Sequence, residues 1–283
     1  MPRPGRLRLP GQALRLGIGH DSLALVRTSR VFARGTAVLA EARCADANDP
    51  QALGAALRAL LAEAGAEVAG WPVSVVLADE LARMWQVAPP PGAAQLADLE
   101  AAAAMRFQSL FGAPPGGWKI AADWQATRPF LAAALPAALL DVLEQAAREA
   151  RCHLVEIVPQ FVVAMNHWRK RHRPGAWFGL MHGQVLTLAA YDGAALAALR
   201  TAVVPPGADR DWLESHVARE ALRVGVGRPE RVQVCGPAPR SWASHEGRLK
   251  FGCTLLEDED EGEQAVDQVR SAAVRLACTG SAA

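Results

Sequence analysis

Apolar residues come in short bursts along this chain, and the spacing inside the bursts alternates between two periods. Residues 14–27 hold two apolar runs on either side of a Gly17-Ile18-Gly19 turn, which predicts two antiparallel strands joined by a glycine loop. Residues 36–43 predict a third strand. The pattern then becomes helical: Leu53, Leu57, Leu60 and Leu61 share one face of a helix that Asp49 caps, Pro50 opens and Gly65 ends. A buried strand over 73–78 and a strand over 82–87 follow, the latter stopped by Pro89-Pro90-Pro91. Leu96, Leu99, Ala103, Phe107 and Leu110 predict a helix over 95–110. Residues 118–125 and 129–134 predict a strand pair, and Leu139, Leu140, Leu143, Ala146 and Ala147 a helix from Pro136. A strand over 153–158 and a helix over 161–171 close this stretch.

From residue 176 the opening motif returns, as an apolar run, a Gly183 turn and a second apolar run through Tyr191. Asp192-Gly193 is a hairpin turn, 195–204 the next strand, and 209–224 a helix capped by Asp209. Strands over 231–235 and 247–256 and a helix over 263–277 complete the chain. A three-strand meander with a glycine turn, then helix, strand and helix, thus occurs twice. Two such halves predict an α/β protein, each lobe a mixed sheet with flanking helices and a cleft between the lobes. The expected divisions are a basic tail over 1–13, a first lobe over 14–172 with an inserted subdomain at about 72–135, and a second lobe over 173–283.

Composition narrows the function. Thirty Lys and Arg against 29 Asp and Glu leave no charge excess to suggest nucleic acid. Five scattered cysteines (44, 152, 235, 253, 278) contain no Cys-x-x-Cys and fit a reducing, cytoplasmic setting. No apolar run approaches the roughly 18 residues of a membrane span, and the basic start lacks the apolar core of a signal peptide.

In this element order the chain resembles the actin-like (RNase H-like, ASKHA) superfamily, and within it the PilM-type proteins of type IV pilus assembly. The cytoplasmic domains of GspL-type secretion proteins are similar. The resemblance rests on the opening hairpin, on the strand–proline–helix order of residues 81–110 with its Arg83-Met84-Trp85-Gln86-Val87-Ala88-Pro89 segment, and on the second hairpin at 176–191. It implies a duplicated two-lobed fold whose glycine turns hold ATP phosphates, with an acid two positions before each turn glycine placing Mg²⁺. Here those positions are Gly17 and Met181, and neither can ligate a hard cation. Asp21 is the alternative ligand, beside Ser22. The nucleotide-site remnant would comprise Gly17, Gly19, Asp21, Ser22, Gly183, Gln184 and Gly236, the last in a Cys235-Gly236-Pro237 loop whose prolines remove donors. The expectation is a pseudo-ATPase without a cofactor or metal, against the alternatives of an ATP-binding member using Asp21 or a small-molecule kinase using Asp192 or Asp209.

Other chemistry has plainer readings. The seven histidines lack metal spacing, although His20 and His182 flank the paired turns. The cationic run at 167–173 reads as a solvated helix end, and residues 257–263 as an acidic surface loop. No Gly-x-Ser-x-Gly supports hydrolase chemistry. Trp85 and Trp118 lie near loops and are the expected anchors for a partner peptide. The resemblance implies that this partner is the cytoplasmic tail of an inner-membrane pilus or secretion assembly protein, with the chain peripheral to that membrane and acting as a scaffold.

Overall fold

The computed structural model describes residues 11–29, 35–243, 251–257 and 271–281. Two five-stranded sheets carry the molecule, and they are built alike. In the first, β1 (Gln12–Ile18), β2 (Ser22–Ser29) and β3 (Gly35–Arg43) form the meander, and β4 (Pro72–Leu77) and β8 (His153–Pro159) add in parallel on the far side of β1. The second repeats the order: β9 (Trp177–His182), β10 (Val185–Asp192) and β11 (Ala195–Val203) form the meander, and β12 (Arg231–Cys235) and β13 (Gly252–Leu255) extend β9 in parallel. The duplication read from the two glycine turns is therefore a duplication of sheets.

Each sheet has an outer face under its own helices. α1 (Pro50–Ala64) and α3 (Ala137–Glu149) cover the first sheet, burying Leu14, Leu16, Ile18, Leu23 and Leu25 against Leu53, Leu57 and Leu60. α5 (Arg210–Val224) covers the second sheet, packing Leu213 and Val217 on Trp177, Leu186 and Leu188. The helix starts follow from sequence. The Asp49 carboxylate accepts the Gln51 N–H at 3.0 Å and that of Asp209 accepts the Trp212 N–H at 3.0 Å, each meeting a donor that the first turn leaves unsatisfied.

The inner faces are covered crosswise. α4 (Gln160–Trp168) follows β8 of the first sheet but packs Phe161, Ala164 and Trp168 on Phe178, Leu180 and Ala189 of the second. α6 (Ala272–Cys278) follows the second sheet but packs Ala273, Val274 and Ala277 on Ala24 and Val26 of the first. The α6 contact is close enough to demand glycine beneath it: a Cβ on Gly17 would lie 2.4 Å from the Ala273 carbonyl oxygen.

Between β4 and β8 the chain makes a separate small unit. β5 (Arg83–Val87), β7 (Phe130–Pro136) and β6 (Trp118–Ala122) form an antiparallel sheet in the order β5-β7-β6, backed by α2 (Leu96–Phe111). Its core is aromatic: the Trp85 and Trp118 rings lie 5.2 and 5.3 Å from that of Phe107. Most expected bounds hold to within two residues. The helix expected over 161–171 stops at Trp168, where the Arg171 and His172 N–H groups turn back onto the Trp168 carbonyl. The strand expected over 247–256 is seen as Gly252–Leu255 and the last helix as Ala272–Cys278, while residues 244–250 and 258–270 lie outside the described residues.

Candidate functional site

The carboxyl ends of the parallel strands are where open α/β sheets place their chemistry. In the first sheet Ile18, Leu77 and Pro159 are in register at that end, followed by the first glycine turn, Asp79 and the start of α4. In the second sheet Leu180 pairs with Cys235 and Val234 with Leu255, so the Gly183 turn, Gly236 and Glu257 gather likewise.

The first turn is knitted into its own lobe. The Gly19 N–H donates to the Ser22 carbonyl at 2.8 Å, while the His20 and Asp21 carbonyls accept the Ala47 and Cys44 N–H groups, each at 2.8 Å. Asp21 is exposed, accepts the Ser22 hydroxyl at 2.9 Å and pairs with Arg43 at 3.5 Å. Its charge is thus engaged along the edge of its own sheet. In the second turn Gly183 takes φ +55°, Gln184 is exposed, and the Gln184 carbonyl accepts the Val204 N–H.

Comparing Gly17 with Met181 by their distance from the turn glycines fails in three dimensions. Gly17 faces α6, on the inner side of the first sheet, whereas Met181 is buried with Leu186 and Leu213 under α5, on the outer side of the second. Alternation then turns His182 toward the first lobe, where burial holds its imidazole below the ordinary range, with Glu80 pulling it up and Arg275 pushing it down. His20 instead lies 3.5 Å from Asp46 on the first lobe's surface.

Gly236 sits at φ +84° with no room for a side chain, since a Cβ would lie 2.1 Å from the Met181 carbonyl oxygen. Its N–H donates to both oxygens of the Glu257 carboxylate, at 2.8 and 2.7 Å. The backbone donor that could face an anion thus already faces one from the chain itself. Burial, with Glu257 and Asp79 adding to it, raises the neighbouring Cys235 thiol well above its usual range, which leaves a poor nucleophile.

The acid that does reach the seam is one the sequence reading passed over. The Asp79 carboxylate, on the turn after β4, accepts the Phe161 N–H at 2.9 Å and the Thr187 hydroxyl at 3.2 Å. Its place after an apolar run marks the end of a strand, but nothing in the sequence signals its partners. Among the described residues no group of three or more His, Cys, Asp or Glu side chains is arranged to hold a metal.

Trp85 is corrected from exposed anchor to core: it is 2% exposed, with its ring against Phe107 and Phe111. Trp118 is half-buried in the same cluster, so the two rings hold the inserted unit together. A different feature has the form of a binding site. A groove of about 890 Å³ runs where the free edge of β8 meets the inserted sheet, α4 and the turn after β10. Leu131, Val155, Ile157, Val162, Met165 and Leu196 give it an apolar floor, and Lys119, Arg128 and Arg169 with Glu144 and Glu156 supply charge. Val155 is 59% exposed there, a large apolar side chain on an edge strand. No single burst of sequence marks this groove, because its lining is drawn from residues 119–135, 140–144, 154–172 and 191–196.

No family model matches the sequence, and no curated protein matches it significantly. Solved structures do resemble it. The cytoplasmic domain of EpsL, an inner membrane component of the type II secretion system of Vibrio cholerae, superposes with a TM-score of 0.54 at 12% identity, covering 86% of this chain and 90% of that one. A Bacteroides thetaiotaomicron protein of unknown function with an actin-like ATPase fold gives 0.57 at 8% identity, covering 88% and 91%. A chain of the PilM-PilN type IV pilus biogenesis complex gives 0.53 at 18% identity, covering 88% of each. At these identities the likeness concerns architecture, and together with the paired sheets and crossed helices it places the chain in the actin-like fold.

Proposed function

We propose that this chain is a non-catalytic assembly scaffold that holds an extended segment of an inner-membrane partner, in a pilus or type II secretion-like machine, at the cytoplasmic face of that membrane. The groove carries this reading. Its long border is the edge of β8, which has no partner strand among the described residues and offers backbone donors and acceptors to an added strand, beside apolar side chains for alternate residues of that strand. The likeness to the EpsL cytoplasmic domain and to the PilM-PilN complex supports a partner of this kind. Among the described residues no helix is long and apolar enough to cross a membrane.

The nucleotide side of the fold supports the same reading. Gly17 lies under α6, Asp21 pairs with Arg43, and Glu257 faces the Gly236 N–H. Phosphoryl transfer depends on positioned metal and donors, and these residues are committed to contacts within the chain.

The test is binding of a labelled cytoplasmic-tail peptide, taken from an inner-membrane protein encoded beside this chain, measured by fluorescence anisotropy. We expect micromolar affinity, weakened about tenfold by Val155→Asp, a change at an exposed site that leaves the fold intact. Absence of binding at about a hundred micromolar overturns the proposal. A thermal shift with Mg-ATP that disappears in Asp21→Ala would favour the nucleotide-binding alternative.

A further inference from the structure

The cationic run at 167–173 closes α4 beside the groove, and Arg169 from it joins the lining. Val162, Met165, Asn166 and Arg169 recur at the spacing of one helix face, and the Arg169 backbone is still helical at φ −50°, ψ −37°. α4 thus shows the groove a stripe that begins apolar and ends in a guanidinium. The inserted unit supplies a second one. Leu131 and Met165 pack on the same cluster around Phe178 and Leu196, with Arg128 three residues before Leu131 and Arg169 one helical turn beyond Met165. Both therefore belong to the end of the groove nearest the second lobe, where Lys170 and Arg171 are exposed beside them. Against these cations stand Asp123, whose N–H donates to the Leu131 carbonyl, and Asp192 at the end of β10. Among the described residues Arg128 and Arg169 form no ion pair, whereas Glu144, on α3, is already paired with Arg148 at 3.6 Å.

The β8 edge is too short to select an occupant by itself. Leu154 pairs with Val73 and Glu156 with Ser74, so Val155 is the extra residue of a bulge. Beyond it the strand offers Glu156, Ile157 and Val158 before Pro159, which has no N–H to donate. So brief a ladder holds any extended backbone about equally, and side chains must decide which segment stays.

Taking the groove as the peptide site proposed above, we infer that its occupant is an extended segment in which apolar residues alternate with acidic ones, and that Arg128 and Arg169 bind one of its carboxylates. Successive side chains of a strand point to opposite sides, so the apolar floor takes one set and the cations at the rim can reach the other. A guanidinium offers a fork of N–H donors that matches a carboxylate, and two of them from separate elements fix its position. The same pair repels a basic segment. Tails rich in Lys and Arg, which are common beside membrane spans on the cytoplasmic side, are thereby turned away.

The test uses the whole chain and three labelled synthetic peptides of about ten residues, in which valine alternates with glutamate, glutamine or lysine. Fluorescence anisotropy should show the glutamate peptide binding about tenfold more tightly than the glutamine peptide, with the lysine peptide weakest. The preference should shrink at about 0.5 M salt. Arg128→Gln with Arg169→Gln should abolish it while leaving the glutamine peptide's affinity and the melting temperature unchanged, since both side chains are exposed. Arg58→Gln, a like change of charge at an exposed site on α1 outside the groove, should leave the preference intact. Equal affinity for the three peptides, or a glutamate preference that survives the double substitution, would overturn this inference and leave the groove a peptide site. Failure of all three peptides to bind would remove the peptide site as well.

Discussion

The hairpin that turns between Ile18 and Leu23 uses four residues, whereas the one between His182 and Val185 uses two. Both open a sheet of the same strand order, and both carry a glycine at the bend. The two-residue difference is shared between the arms, so the residues two before the turn glycines end on opposite faces. Gly17 is pressed under a helix from the other half of the chain, while Met181 fills the core of its own half. Equal spacing in sequence therefore does not identify equal positions across a duplication; the face must be established as well.

Substitutions at the paired positions can break or sharpen this contrast. The largest effect is expected from Gly17→Ala, whose methyl would meet the backbone of α6 at 2.4 Å and 2.6 Å. We expect a loss of about 3 kcal/mol in urea unfolding, because neither strand nor helix backbone can yield cheaply. A stability equal to the parent's would mean that α6 is not seated on β1. Next are the turn glycines themselves. Gly183→Ala has open space but φ +55°, and should cost about 1 kcal/mol from backbone strain. Gly19 has no positive φ, and an added Cβ would press on the Ser22 carbonyl at 3.3 Å in this buried turn, so Gly19→Ala should cost less than Gly183→Ala, about 0.5 kcal/mol. Equal costs at these two sites would erase the distinction between the turns. The smallest effect is expected at Asp21→Ala, where the exposed pair with Arg43 should contribute no measurable shift in melting temperature.

The sequence displayed the repeated strand order well, because each strand is a local run and each helix a local period. Asp49, Pro50 and Gly65 around α1 show why: every signal for that helix lies within a turn of its ends. The seam and the groove were hidden for the opposite reason. Asp79 meets Phe161 and Thr187 across separations of 82 and 108 residues, and no pattern in a short window carries such a contact. Trp85 misled because nearness to a proline-rich loop in sequence says nothing of burial, and here α2 folds back over the ring. The fit of Glu257 to the Gly236 N–H likewise needed β12 and β13 to be paired before it could be seen.

The crossed packing of α4 and α6 has a consequence for how the protein is made. The first sheet to leave the ribosome has its inner face covered by α6, which follows the second sheet in the chain. Arg15 on β1 donates to the Thr279 carbonyl across 264 residues, and Ala24 and Val26 wait for the same C-terminal segment. Synthesis from the N-terminus therefore yields a first lobe whose outer face is covered by α1 and α3 while an apolar strip on its inner face stays uncovered until α6 emerges. The two halves share one pattern, but each borrows a helix from the other, so completion of the earlier half waits for α6.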